Sequence, residues 1–543
     1  MVLLTELPPE ILHNVLVHVD PPDLAWIPRI CRTFYHAVSQ NVSLFKEVYL
    51  RNFDTPPNAR ELDWERAIKD LVRLQVVCRR TSVDDKKNEL SFVHDTVTRL
   101  LMNASSKGDP ASPAAVHPVS RNAELLSSIF KEETNQAAFL CRSFIYQRAR
   151  AELKYGIFSS PPQDDHQKSA HLHCLYSVPM LYAHPESHRT RSSKMSPFAC
   201  SKVYDLRQYT ENNMWGPFMD DGSGDVDWEK MEAIMIVLGA NLKQFGLNKF
   251  PVCKTVWDRP FPGVWPGGYR PLSASDREPG PLELQDPYGV SGTWLRIVCF
   301  LDYTDFFAYN FNAEQQPPPT VPRPTIDVGE ATRFILMKLH VTAIEPPGPE
   351  DGQALPVVHF KGVCRSIDAS WEENANSDIR GMIQTRGTVR LTREGEVRWT
   401  SFSVYAGDDR WRSEGIQVGG PRSGKGVLGT WFDNCAKKEK LNGNYRDFDP
   451  RGPAGPSAFW KISDKGHRDD PDRVVMADFM RTILEAGQEE DDDDEDYEPP
   501  ENGDDDGDED DGENLLVEFE SLMETEIEYN GTVFWNWTEV FDP

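Results

Sequence analysis

The sequence predicts an α+β multidomain chain with four parts: a three-helix N-terminal module, a helical spacer, an antiparallel β-barrel or sandwich, and an acidic disordered tail. Three observations carry this expectation. Apolar residues recur at helical spacing to about residue 250, and strand-like runs separated by Gly, Pro and Asp turns begin near Gly292. Residues 482–543 then hold 26 Asp and Glu and no Lys or Arg. The expected segments are 1–50, 51–250, 251–465, an acidic linker at 466–514 and an amphipathic piece at 515–543 that could dock back on the barrel. A chain of 543 residues has room for two or three such domains.

The first segment opens on Leu7-Pro8-Pro9-Glu10-Ile11-Leu12, and its apolar stripe continues through Val15, Leu16 and Val19. Pro9 suits a first helical turn, where a missing N–H loses no partner, and Glu10 lies favourably near the positive helix end. Asp20-Pro21-Pro22 ends this helix and starts a second, which Pro28 should terminate early. Ile30, Phe34, Ala37 and Val38 mark a third. So short a helical unit buries little on its own, so an obligate neighbour is expected.

Order and spacing in this stretch resemble the F-box, the motif that docks substrate receptors onto the Skp1 adaptor of cullin-based ubiquitin ligases. The matching features are Leu-Pro-x-Glu-Ile-Leu, then Asp20-Pro21-x-Asp23-Leu24, then Cys31-Arg32-x-Phe34, and finally Leu44-Phe45. The resemblance implies that Leu7, Pro8, Ile11, Leu12, Leu16, Leu24, Leu44 and Phe45 face Skp1. Phe34 and Phe45 stand where the family commonly has Trp, and Pro28 interrupts the second helix.

Beyond a polar join at 54–60, helical periodicity covers 62–78, 90–102, 123–140 and 143–155, with a loop at 104–118. A further helix starts near Asp227, with Trp228, Met231, Met235, Leu238 and Leu242 on one face and Asp225 or Asp227 as its cap. Strands are then expected at 293–301, 306–312, 333–344, 357–363, 381–391, 397–405, 411–418, 427–432 and 458–462. Eight or nine strands without intervening helices argue for a sandwich or a closed barrel, and closure leaves no exposed edge. Gly-Thr-Trp at 292–294 and 429–431, with Phe459-Trp460, reads as strand ends whose tryptophans plug a barrel mouth. This order is similar to long F-box-only proteins with a C-terminal barrel. Tyr204-Asp205-Leu206-Arg207 and Trp215-Gly216-Pro217-Phe218 look like segments of F-box chains from filamentous fungi.

Composition narrows the setting. The net charge of −29 is local: without the 26 acids of 482–543 the remainder sums to −3, so the body is nearly neutral. No basic stripe accompanies the aromatics, which speaks against nucleic acid, and the longest apolar stretch, 233–240, is too short for a bilayer. The first residues lack a basic n-region with an apolar core, and nine scattered cysteines form no Cys-x-x-Cys pair. A cytoplasmic or nuclear location is expected. The acidic blocks at 489–496 and 504–513 read as solvated chain, a contact for basic partners, or a mask over basic surface.

Three stretches imitate chemical sites. Gly419 to Gly426 nearly spells a phosphate loop but has Gly426 where Ser or Thr must hold magnesium, so a hairpin turn is expected. Asp220 to Asp227 imitates a calcium loop, yet the register places Met219 and Lys230 at ligand positions. His166, His171, His173, Cys174, His184 and His188 fall close together without the convergence zinc requires. With no active site and no cofactor expected, the F-box resemblance implies a non-catalytic substrate receptor. The F-box would bind Skp1 and, through it, a cullin, while the β-rich domain holds a protein substrate. The rivals are a ligase-independent Skp1 adaptor and a barrel carrying a small ligand.

Overall fold

The computed structural model describes residues 4–465, less 58–61, 106–119, 155–162, 184–193, 246–250, 272–277, 313–316, 319–320, 367–382, 406 and 435–451. The acidic linker and the segment 515–543, with Trp535, Trp537 and Phe541, lie outside the described residues.

The N-terminal module holds α1 (Pro9–Leu16), α2 (Pro21–Leu24), α3 (Arg32–Val38) and α4 (Val42–Asn52). It therefore has four helices where three were expected. Asn41 starts the fourth by accepting the Leu44 amide at 3.1 Å, so Leu44 and Phe45 ride on a helix of their own. Helix α2 is a single turn, and Pro28 sits in the separate 3-10 turn Ile27–Arg29, as its missing donor requires.

The helical layer contains α5 (Trp64–Cys78), α6 (Val83–Lys86), α7 (Leu90–Met102), α8 (Arg121–Phe130) and α9 (Glu133–Phe139). It continues with α10 (Phe144–Lys154), α11 (Gln163–Tyr176), α12 (Ser196–Val203), α13 (Trp228–Phe245) and α14 (Pro251–Trp257). The helix expected over 123–140 is broken between α8 and α9. Helix α13 is the centre of this layer: Met231 and every residue from Ala233 to Leu238 is fully buried, apolar on all sides. Asp227 caps it, accepting the Lys230 amide at 3.1 Å.

After the short α15 (Pro281–Gln285), eight strands close into an antiparallel barrel in simple sequential order. They are β1 (Gly292–Leu301), β2 (Glu330–Glu345), β3 (Val357–Ser366), β4 (Ile383–Leu391), β5 (Val397–Tyr405), β6 (Asp408–Gln417), β7 (Val427–Asp433) and β8 (Ala454–Ser463). The expected strand at 306–312 is instead the helix α16 (Tyr303–Phe311). Its aromatic run suits a strand, but Asp302 caps it through the Thr304 amide (2.8 Å). Phe306 and Asn310, one turn apart, then turn inward together.

Strand alternation gives the barrel two apolar faces. Inside, Trp294 meets Trp399 at 5.0 Å and Phe459 at 5.8 Å. Outside, Leu295, Ile297, Cys299 and Leu301 of β1 join Leu428, Trp460 and Ile462 in one core shared with the helices. Trp460 is therefore no plug; it packs outward on Trp257 at 6.1 Å, and its neighbour Phe459 fills the lumen. Helix α13 lies on β1, β7 and β8. A barrel cut at 285–465 would lose this cover.

Two polar contacts fasten the layers. Glu330 at the start of β2 accepts from Asn241 of α13 at 2.8 Å and from Tyr204 after α12, and burial raises its pKa. Lys425, in the turn between β6 and β7, is buried and donates to the carbonyls of Ser177 (3.2 Å) and Val256 (3.1 Å). Its ammonium lies 3.8 Å from the Trp257 ring centre, and burial lowers its pKa to about 7. Between that value and the ordinary one, 10.5, the unfolded chain holds the extra proton, so stability should rise as pH climbs above 7. The thermal midpoint is expected to increase from pH 7 to pH 9; Lys425→Met should shrink that increase, and the remainder falls to buried Lys230, whose pKa burial also lowers to about 7.

Candidate functional site

The N-terminal module divides its apolar residues between two faces. Helix α1 turns Leu12 and Leu16 inward, while Ile11 and Val15, also one turn apart, stand 48% and 38% exposed. Trp26 and Ile30 are more exposed still, at 62% and 67%. With Leu4, Tyr35 and Val42 they make seven of the thirteen exposed large apolar side chains among the described residues, all within 4–42. Single exposed hydrophobics are ordinary, but more than half of those among the described residues fall in these 39 residues.

Of the eight residues assigned to the adaptor, the structure presents Pro8 and Ile11 to solvent and leaves Leu7 half-buried. Leu12, Leu16, Leu24, Leu44 and Phe45 are buried within the chain's own core. Exposed Val15, Trp26 and Ile30 are not among the eight residues assigned to the adaptor. The signal available was the second side of the α1 stripe and a bare tryptophan beside a helix-breaking proline.

The module is clamped to the helical layer. Tyr49 of α4 packs on Trp64 of α5 at 5.3 Å and on Phe53 at 5.1 Å. Asp54, read from sequence as part of a polar join, is fully buried. It accepts from the Ser120 hydroxyl at 2.6 Å and from the amides of Arg121 (3.1 Å) and Ser105 (3.2 Å). A carboxylate at the start of α8 suits the unsatisfied amides and positive helix end there. Arg121 reaches back to the Arg51 carbonyl at 2.7 Å. One continuous core then runs from Leu12 through the helical layer to the outer barrel wall, which sets the exposed face at a fixed distance from the barrel.

The barrel interior is occupied by its own side chains. Phe360, Trp399, Phe459 and Trp294 fill one part, and the buried Arg296 donates to the hydroxyls of Ser457 (2.9 Å) and Ser413 (2.5 Å). Burial lowers the pKa of this guanidinium. Trp431 donates from Nε1 to the Cys299 carbonyl at 3.1 Å.

The segments Tyr204 to Arg207 and Trp215 to Phe218 make structural contacts. Buried Asp205 accepts from Nε of Arg207 (2.9 Å) and Nε of Arg323 (3.0 Å). Trp215 to Phe218 lies against β6, where a Cβ on Gly216 would come within 2.8 Å of the Glu414 Cβ. Glu414 is fully buried and accepts from Nε of Arg398 (3.0 Å), Nε of Arg412 (2.9 Å) and the Thr400 hydroxyl (2.9 Å). The Arg398 guanidinium in turn lies over Phe218 at 5.0 Å.

The described parts of the three stretches that imitate chemical sites make the following contacts. Gly419 to Gly426 is a hairpin turn closed by the Val418 amide on the Gly426 carbonyl (2.9 Å), with Gly419 at φ +88°. Lys230, which the calcium-loop register puts at a ligand position, donates instead to the carbonyls of Gln208 (2.8 Å) and Gly216 (3.1 Å). On α11, His166 contacts Gln147 at 2.9 Å, and His171 stacks on Trp228 at 3.8 Å. His173 donates from Nδ1 to Glu232 at 2.7 Å while its Nε2 accepts the Met180 amide at 3.1 Å. His184 and His188 lie outside the described residues, and among the described residues no group of three or more such ligands converges.

No helix among the described residues is long and apolar enough to cross a membrane. No curated protein and no solved structure gives a significant match to the chain. Residues 4–51, which contain all seven exposed large apolar side chains of the N-terminal module, match the F-box-like family model, and this chain thus carries an F-box-like domain at its N-terminus.

Proposed function

We propose that the chain is a non-catalytic substrate receptor of a Skp1–cullin–F-box ubiquitin ligase, acting in the cytoplasm, the nucleus or both. The observation that carries this reading is the uncovered apolar face of the F-box-like domain, including Ile11, Val15, Trp26 and Ile30. Leu7 and Pro8 sit at its edge. Leu12, Leu16, Leu24, Leu44 and Phe45 act from beneath it, holding the helices in the shape that Skp1 reads. The β-rich domain, held at a set distance by the shared core, receives the substrate. Catalysis is then proximity: substrate lysines stay near a ubiquitin-loaded enzyme, and the chain supplies no reacting group.

Of the rivals, a small-ligand carrier fits poorly with a lumen filled by Trp294, Trp399, Phe360 and Phe459. A ligase-independent Skp1 adaptor has the same docking face. Co-expression of the full chain with Skp1 and a cullin separates the two. The receptor reading expects all three to copurify as one species. Skp1 without cullin would favour the free adaptor, and absence of Skp1 would overturn both.

A further inference from the structure

A cleft of about 480 Å³ lies between α8 and β8, closed below by the connection 255–270. Its wall carries four cations, Lys131, Arg259, Arg270 and Lys461, against one carboxylate, Glu124. Lys461 is neutralised by Asp464 at 2.8 Å, but among the described residues Lys131 and Arg270 face no carboxylate. Arg270 donates only to its neighbour's carbonyl, Tyr269, at 3.3 Å. Trp460, on the same wall, is 1% exposed and its Nε1 has no hydrogen-bond partner. That nitrogen has no surface open to the cleft, so what an occupant would meet is the charge of the wall.

We propose that this cleft binds carboxylate-rich peptide, and that its resident occupant is the chain's own acidic segment 489–513. The chain leaves the body from β8, the strand that lines the cleft, with Lys465 its last described residue. Glu489 is 24 residues further on. A chain of that length reaches at most about 80 Å, more than enough to return along a neighbouring surface. Such a tether gives a local concentration in the millimolar range, so weak, screened ion pairs suffice. The segment supplies acids in excess and no cation to repel the wall. This inference is independent of adaptor docking and needs no Skp1.

The probe is a labelled synthetic peptide of residues 487–513. It is titrated into the full-length chain and into a full-length variant with every Asp and Glu from 489 to 513 changed to Asn or Gln. The neutralised chain is expected to bind the peptide about tenfold or more tightly than the wild type, whose cleft is already filled. Binding should weaken steeply as salt is raised through the physiological range. Adding Lys131→Glu with Arg270→Glu to the neutralised chain should abolish it, and Lys131→Glu alone, at an exposed position, should weaken it. Equal binding to wild type and neutralised chains, no binding to either, or indifference to the charge reversals would overturn the proposal.

Discussion

Changing Trp26 and Ile30 together to alanine is expected to weaken Skp1 binding by the full chain roughly thirty-fold or more, about 2 kcal/mol, as interface anchors typically do. Both side chains are more than 60% exposed in the free chain, so their loss should leave the thermal midpoint where it was. Leu12→Ala with Leu16→Ala is the contrasting pair. These residues are 4% and 2% exposed, and each buried Leu→Ala change costs about 2–5 kcal/mol through lost burial and cavity. That pair should lower Skp1 binding too, but by loosening the module, with a matching fall in stability. Calorimetric titration with Skp1 beside a thermal scan of each variant reads both quantities. Equal destabilisation by the two pairs would refute the division into an outer and an inner face.

Glu414→Gln should be among the most destabilising single changes in the barrel. The carboxylate is fully buried and serves two arginines at once, Arg398 and Arg412, as well as Thr400. Removing one member of a buried charge group strands the others, at a cost of about 3–5 kcal/mol. The effect should reach beyond the barrel, because Arg398 also lies over Phe218, and Gly216 packs on Glu414. Amide exchange is the readout: residues 213–218 are expected to lose protection in the variant along with the β5–β6 pair. A variant with unchanged stability and an undisturbed 213–218 segment would show that the charge group is not what pins this loop.

The strands were readable because alternation with a buried lumen leaves a period of two, and because Gly and Asp turns separate the runs. The outer faces of β1, β7 and β8 are apolar as well, since α13 covers them. That double burial was visible in Leu295 to Leu301 as a near-continuous apolar run, but not what covered it. Helix α11 escaped notice because its buried side includes His166, Ser169, Ala170 and His173, which carry no hydrophobic signal. Asp54 looked like linker because its partners Ser105, Ser120 and Arg121 are more than 50 residues away in sequence. In the F-box-like domain the motif order was legible, but the partition of its apolar stripe was not. Ile11, Leu12, Val15 and Leu16 wrap enough of α1 to serve a core and a partner at once. Periodicity alone cannot say which side is which.

The most direct test of the account is amide hydrogen exchange on the full chain with and without saturating Skp1. The account expects new protection across α1, the Trp26 to Ile30 turn and the start of α3, with β1 to β8 unchanged. Protection confined to the barrel, or none under conditions where Skp1 engages another F-box chain, would contradict it.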